Sequence, residues 1–187
     1  NFSKAQNIEF QAENGERDFA WTTSWGVSTR LVGALIMSHS DDDGLVIPPR
    51  LAPAQVVILP IYREDSQRAD VLQYVEKVKQ ELTAQHYAGS PIRVEIDDRD
   101  IRGGEKKWHH VKRGVPIRLE IGPKDIEKDA VFLGRRDRPK SAPMGRGELI
   151  AGISSLLAEM QQGLFDAAAK LRDDNSCVIT NESDFRD

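Results

Sequence analysis

Three prolines within six residues, in Pro48-Pro-Arg-Leu-Ala-Pro53, constrain this chain more than any other feature. Proline fixes φ at about −65° and removes a backbone donor, so neither a helix interior nor a central strand can run through that stretch. The chain is expected to divide there into residues 1–47, a semi-extended linker at 48–53, and everything beyond.

The hydrophobic pattern differs on the two sides. Before the prolines, Phe19-Ala-Trp-Thr-Thr-Ser-Trp25 is aromatic and β-branched and predicts a strand closed by Gly26. Residues 27–38 carry Leu31, Val32, Ala34, Leu35, Ile36 and Met37, a density that predicts a helix buried on most sides. Leu45-Val-Ile47 predicts a short strand. Beyond the prolines, strands and helices alternate. Gln55-Val-Val-Ile-Leu-Pro-Ile61 is an apolar run of buried-strand type, and residues 67–85 set Val71, Val75, Val78 and Leu82 on one helical face. Ile92-Arg-Val-Glu-Ile96 and Pro116-Ile-Arg-Leu-Glu-Ile121 alternate as half-buried strands should. Ala130-Val-Phe-Leu133 adds another strand, and residues 148–171 a long amphipathic helix. This order predicts an α/β domain over residues 54–174, a mixed sheet covered by helices, with 175–187 beginning a C-terminal extension.

Charge narrows the function. The 187 residues hold 26 Lys and Arg against 30 Asp and Glu, a net charge of −4. Yet residues 98–113 hold six basic side chains against three acids, and residues 134–146 hold five against Asp137 alone. Such runs are either solvated loop charge or a local anion-binding face. No apolar run approaches the roughly 18 residues of a membrane span. The single cysteine, Cys177, excludes a disulfide framework within these residues and fits a reducing, cytoplasmic compartment.

Familiar catalytic signatures are missing: there is no GxGxxG, no phosphate-loop lysine motif and no GxSxG. The four histidines lack metal-ligand spacing, so no metal ligands are expected in this chain. Asp41-Asp-Asp43 reads as a solvated loop rather than a Mg²⁺ site. Arg30 opens the apolar helix, where it needs an anion, either an internal carboxylate or a bound phosphate.

The string Thr23-Ser-Trp-Gly-Val-Ser-Thr-Arg-Leu-Val-Gly-Ala-Leu-Ile-Met37, with His39-Ser-Asp-Asp and Gly44-Leu-Val-Ile-Pro-Pro-Arg50 after it, resembles the third signature motif of class II prolyl-tRNA synthetases of the archaeal/eukaryotic-like type. Gln55 to Ile61, Asp97-Asp-Arg-Asp100 and Gly114-Val-Pro-Ile-Arg-Leu-Glu-Ile-Gly-Pro-Lys-Asp125 resemble the anticodon-binding domain that follows the catalytic core in that family. The likeness covers essentially the whole chain. It implies the C-terminal piece of an antiparallel-sheet catalytic core over 1–47, followed by the anticodon-binding domain. Motifs one and two would precede Asn1.

The resemblance also implies roles. Arg30 would grip the phosphates of ATP, a substrate carried with Mg²⁺ in the parent enzyme, and Ser28 would contact ATP too. Ser24, Trp25 and Gly26 would line the proline pocket. The family joins proline to ATP and passes the prolyl group to tRNA(Pro), and the intact enzyme is a homodimer. Asp98, Arg99, Asp100 and Lys106, with Glu64 more weakly, would read guanine-containing anticodon bases, whose edges offer both acceptors and donors. Lys106 and Lys107 are both open to that contact, and Trp108 to loop packing or base stacking. This chain alone is expected not to aminoacylate. Two rival readings are a non-catalytic tRNA-binding paralogue, favoured if Arg30 faces solvent, and a small-molecule-binding α/β domain, disfavoured by the lack of a phosphate loop after Ile61.

Overall fold

A computed structural model describes residues 2–186. Asn1 and Asp187, which bound the first and last expected segments, lie outside the described residues. Backbone contacts divide the chain into two units, Asn1–Gly33 and Ala34–Asp187.

The first unit holds a helix α1 (Phe2–Gln6) and a hairpin of β1 (Glu9–Gln11) with β2 (Arg17–Phe19), paired antiparallel with Phe10 opposite Asp18. The expected strand over 19–25 does not form. Ala20 still donates to the Ile8 carbonyl at 3.0 Å, but residues 21–28 lie in neither helix nor strand, and Trp21 and Trp25 are 102% and 94% exposed. A strand exists only where a neighbour supplies hydrogen bonds, and no described residue pairs with these. Helix α2 (Arg30–His39) continues into the second unit. It forms nearly where periodicity places it, but none of its residues is buried, contrary to expectation. Its apolar side chains call for cover that the described residues do not supply.

In the second unit follow β3 (Val56–Pro60), α3 (Asp65–Thr83), β4 (His86–Tyr87), β5 (Ser90–Pro91), β6 (Val94–Ile96), α4 (Gly103–Lys112), β7 (Ile117–Ile121), α5 (Pro123–Ile126), β8 (Ala130–Arg135), β9 (Ala142–Gly145), α6 (Arg146–Asp174) and α7 (Glu182–Arg186). Five strands make one mixed sheet in the order β6-β3-β7-β8-β9. β3 pairs parallel with β6 and β7, whereas β8 runs antiparallel to both β7 and β9. Every residue of β3 is buried, as a central parallel strand covered on both faces requires. One face carries Val56, Ile58, Ile117, Leu119 and Ile121 against the stripe Val71, Val75, Val78 and Leu82 of α3, and against Leu149, Ile153, Leu157 and Met160 of α6. The other face carries Val57 and Leu59, packed with Val115, and is covered by α4. The edge strands are short: β6 has three residues, and β9 contains Pro143.

The proline segment is irregular, as expected, but it is not loose. Arg93 donates from Nη2 to the Ala52 carbonyl at 2.8 Å, and Gln55 Nε2 to the Pro49 carbonyl at 3.0 Å. Nor do residues 45–47 form the expected strand. The amides of Leu45 and Ile47 instead donate to the carbonyls of Lys112 and Gly114, clasping the α4–β7 turn. Gly114 has φ +70°, and a Cβ there would stand 2.6 Å from the Leu45 carbonyl oxygen. Gly114→Ala is therefore expected to cost about 2 kcal/mol or more, from left-handed strain plus displaced backbone. The urea midpoint of the chain measures it, and an unchanged midpoint would contradict this account of the turn.

Candidate nucleic-acid interface

In open α/β sheets, ligands bind outside the carboxyl ends of the parallel strands. Here β3 is followed by Ile61, Tyr62, Arg63 and Glu64, β6 by residues 97–100, and β7 by Gly122, Pro123, Lys124 and Asp125. Two cavities lie along this edge. One of about 430 Å³ is lined by residues that include Tyr62, Arg63, Glu120 and Lys124. A smaller one, about 70 Å³, is lined by residues that include Tyr62, Arg99, Asp100 and Lys106.

The corner after β6 is built on Asp97. Its amide donates to the Ile58 carbonyl at 2.9 Å, extending the ladder by one rung. Its buried carboxylate accepts from Arg99 Nε at 2.8 Å and Nη2 at 2.7 Å, and from His110 Nε2 of α4 at 2.9 Å. The Arg99 hydrogen bonds, more than that of His110, hold the Asp97 pKa well below the usual carboxylate range. An ionised Asp97 requires the proton of a neutral imidazole to sit on Nε2, which leaves His110 Nδ1 as a buried lone pair without a partner among the described residues. Burial presses the His110 pKa below its ordinary value, despite the pull of Asp97 toward the charged form.

This has a pH consequence. The unfolded imidazole takes its proton near pH 6.5, whereas the folded one resists it to lower pH. The stability it contributes is complete above about pH 6.5 and is lost as the pH falls below that value. The unfolding midpoint is expected to fall between about pH 7 and 5 with a slope that His110→Gln lacks; identical slopes in parent and variant would refute the assignment.

Asp98 and Asp100 are exposed and make no side-chain hydrogen bond or ion pair among the described residues. Arg99 is also exposed, but it is committed to Asp97, so the structure engages it in holding the corner. Lys106 is only 4% exposed, has no ion-pair partner among the described residues, and lines the small cavity with Asp100. Lys107 is bound to Glu120 of β7 at 3.3 Å. Glu64 occupies the N-cap position of α3 without capping it, and its exposed carboxylate accepts from Ser66 Oγ at 3.4 Å. Trp108 is 45% exposed, with the Lys112 ammonium 5.8 Å from its ring centre. Sequence reasoning missed Asp97 and His110 as the organising pair, although Asp97 stood at the head of the Asp-Asp-Arg-Asp string.

The residues expected to handle ATP and proline are not brought into an enclosure. Ser24, Trp25, Gly26, Ser28 and Arg30 are all exposed, and Arg30 has no ion pair among the described residues. That exposure does not single Arg30 out, because Trp21, Trp25, Val27 and Met37 share it. No group of three or more His, Cys, Asp or Glu among the described residues could hold a metal ion.

The five-stranded mixed sheet covered by helices defines an α/β class, and residues 55–156 match the family model described as anticodon binding domain. The chain belongs to that family. It is also similar, over its whole length, to proteins named proline–tRNA ligase. It is 66% identical to that of Rhodopirellula baltica, over 100% of this chain and 37% of the relative. It is 58% identical to that of Bdellovibrio bacteriovorus, over 99% and 38%, and 51% identical to proline–tRNA ligase 2 of Anaeromyxobacter dehalogenans, over 99% and 37%. The chain thus spans little more than a third of the length of these relatives.

Proposed function

We propose that this chain reads the anticodon of proline tRNA as part of a proline–tRNA ligase. The observation that carries the reading is the carboxyl edge of the parallel strands, where Asp98, Asp100 and Lys106 stand without an ion-pair partner among the described residues, beside a corner locked by Asp97, Arg99 and His110. Carboxylates accept from guanine N1 and N2, and an ammonium donates to O6 and N7, so the edge offers complementary groups for unstacked guanines. Glu64 adds a further exposed acceptor after β3.

Residues 1–47 would be the third-motif piece of the catalytic core, joined by 48–53 to the anticodon-binding domain over 54–174, with 175–187 leading away from it. In the whole enzyme, Arg30 and Ser28 would bind the phosphates of ATP, delivered with Mg²⁺, and Ser24, Trp25 and Gly26 would line the proline pocket. The apolar face of α2 and the bare 21–28 segment would be covered there by the rest of the core. That enzyme would be homodimeric and would act in the cytoplasm; no helix among the described residues is long and apolar enough to cross a membrane.

The chain by itself is expected to bind proline tRNA in preference to the same tRNA with its anticodon guanines replaced, while supporting no proline-dependent pyrophosphate exchange. Fluorescence anisotropy and an exchange assay measure the two. Equal affinity for both tRNAs would sink the anticodon reading, and exchange activity would sink the assignment of the 1–47 region as an incomplete core.

A further inference from the structure

On the face of the sheet covered by α4 lies a further cavity of about 330 Å³, whose walls include Lys107, Trp108, Arg118, Arg135, Arg136 and Ser141. Its cations differ in one respect. Arg135 is bound by Asp137, at 2.9 and 2.6 Å, and by Glu159. Arg136 is bound by Asp41 and by the Val111 and Gly44 carbonyls. Lys107 pairs with Glu120, and Arg138, also in the wall, with Glu159. Arg118 alone among these has no ion pair or side-chain hydrogen bond to a described residue. It is 6% exposed, and its Nε and Nη1 have no hydrogen-bond partner among the described residues.

The fold makes room for this guanidinium. Arg118 on β7 stands opposite Gly134 on β8, and a Cβ at Gly134 would come within 3.1 Å of Arg118 Nη2 and 2.9 Å of Ser141 Oγ. The wall acids do not compensate it: Asp41 and Asp137 are taken by Arg136 and Arg135, and exposed Asp43 makes no ion pair with it. Burial first, then repulsion from Arg136, presses its pKa down against the weaker pull of Glu120, which is itself paired with Lys107, but an arginine keeps its charge regardless. A buried, unpaired charge of this kind is costly, and the cost is offset when a ligand supplies the missing anion.

We propose that this cavity is a binding site for the phosphate of one nucleotide unit, with the phosphate on the Nε and Nη1 donors of Arg118 and the base or sugar toward the half-exposed ring of Trp108. A guanidinium fork matches two phosphate oxygens at once, and an indole face accepts a base by stacking. The volume lies at the lower end of the range for ligand pockets, about 300–1,000 Å³, which suits a single unit. The phosphate could come from the tRNA backbone or from a free nucleotide. Only the first source rests on the function proposed above.

Two measurements on the full chain test the site. Thermal melting with inorganic phosphate, and separately with adenosine 5′-monophosphate, is compared with sodium chloride at equal ionic strength. The parent is expected to show a saturable rise in Tm of about 3–6 °C at roughly tenfold excess over Kd. Arg118→Met should lose that rise while melting, ligand-free, no lower than the parent. If it fails to fold, Arg118→Lys, which keeps charge but not the fork, should bind at least about tenfold more weakly. The second measurement is the salt dependence of tRNA binding. If the phosphate is a tRNA phosphate, the slope of log K against log[salt] is expected to shrink by about 0.7–0.9 in Arg118→Met, equally for any anticodon. An unchanged slope with lost Tm rise assigns the site to a free nucleotide. A parent without saturable stabilisation beyond chloride and without a slope change on substitution, or an Arg118→Lys that binds undiminished, overturns the proposal. Lys106→Ala reports on the anticodon edge independently, so either conclusion can fail while the other stands.

Discussion

Lys106→Ala is expected to weaken binding of proline tRNA by about 10- to 100-fold, with the loss confined to tRNAs carrying the native anticodon guanines. A side chain that donates to a base edge is worth about 1–3 kcal/mol of discrimination. Lys106 is placed for such a contact, being held on α4 beside Asp100 with no carboxylate among the described residues paired to its ammonium. Lys107→Ala should do far less, because it removes only a partly exposed pair with Glu120, of a kind worth about 0–1 kcal/mol. Anisotropy titrations against native and anticodon-replaced tRNA separate the cases. A loss from Lys106→Ala that is equal for every tRNA would mean that the ammonium meets backbone phosphate and reads no base.

Asp97→Ala should be the most damaging change at the edge for stability and recognition together. It strands the Nε2 donor of His110, which is 3% exposed, and frees Arg99 from the hydrogen bonds that fix the corner. A buried donor left without its acceptor costs about 1–3 kcal/mol, and the half-exposed Arg99 adds little, because water can replace its partner. The unfolding midpoint should fall accordingly. Anticodon-dependent affinity should fall as well, since Asp98 and Asp100 lose the frame that aims them. Asp97→Ala combined with His110→Phe should recover part of the stability but not the affinity. If the double variant recovered both, the corner would not position the readers at all.

Much of the second unit was legible because its strands and helices bury apolar side chains at diagnostic spacing. The run 55–61 and the alternation through 117–121 gave β3 and β7, and the stripe from Val71 to Leu82 gave α3. Helix α4 was not legible. It begins Gly-Gly, and its buried positions are Lys106, His110 and Val111, so polar groups do the packing that the pattern reserves for apolar ones. β9, Ala-Pro-Met-Gly, carries no strand signature and exists because β8 offers it a ladder. At the site, the mixed-charge corner was legible as a string of residues, but the division of labour within it was not. That Asp97 is buried while Asp98 and Asp100 are exposed follows from where β6 ends and where α4 lands. Arg118 was hidden in the same way: the alternation Ile-Arg-Leu-Glu-Ile turns it off the core face, which on a one-sided sheet would mean water. Upstream of the prolines the apolar composition predicted a strand over 19–25 and a helix buried on most sides, and neither expectation holds: the strand is absent and no residue of α2 is buried, because burial requires a partner that periodicity alone cannot supply.

The two borders of the five-stranded sheet carry a consequence for assembly. A sheet grows by lending its outermost amides and carbonyls to a newcomer, and long, flat, apolar borders invite that. Here the outermost strand on one side is three residues long with a charged Glu95 at its centre, and on the other side it is interrupted by Pro143, which has no amide to lend. This module is therefore poorly suited to joining a second copy by continuous strand pairing or to seeding fibrils. Any larger architecture that includes it must be joined through side-chain surfaces, leaving the parallel strands and the edge they present undistorted.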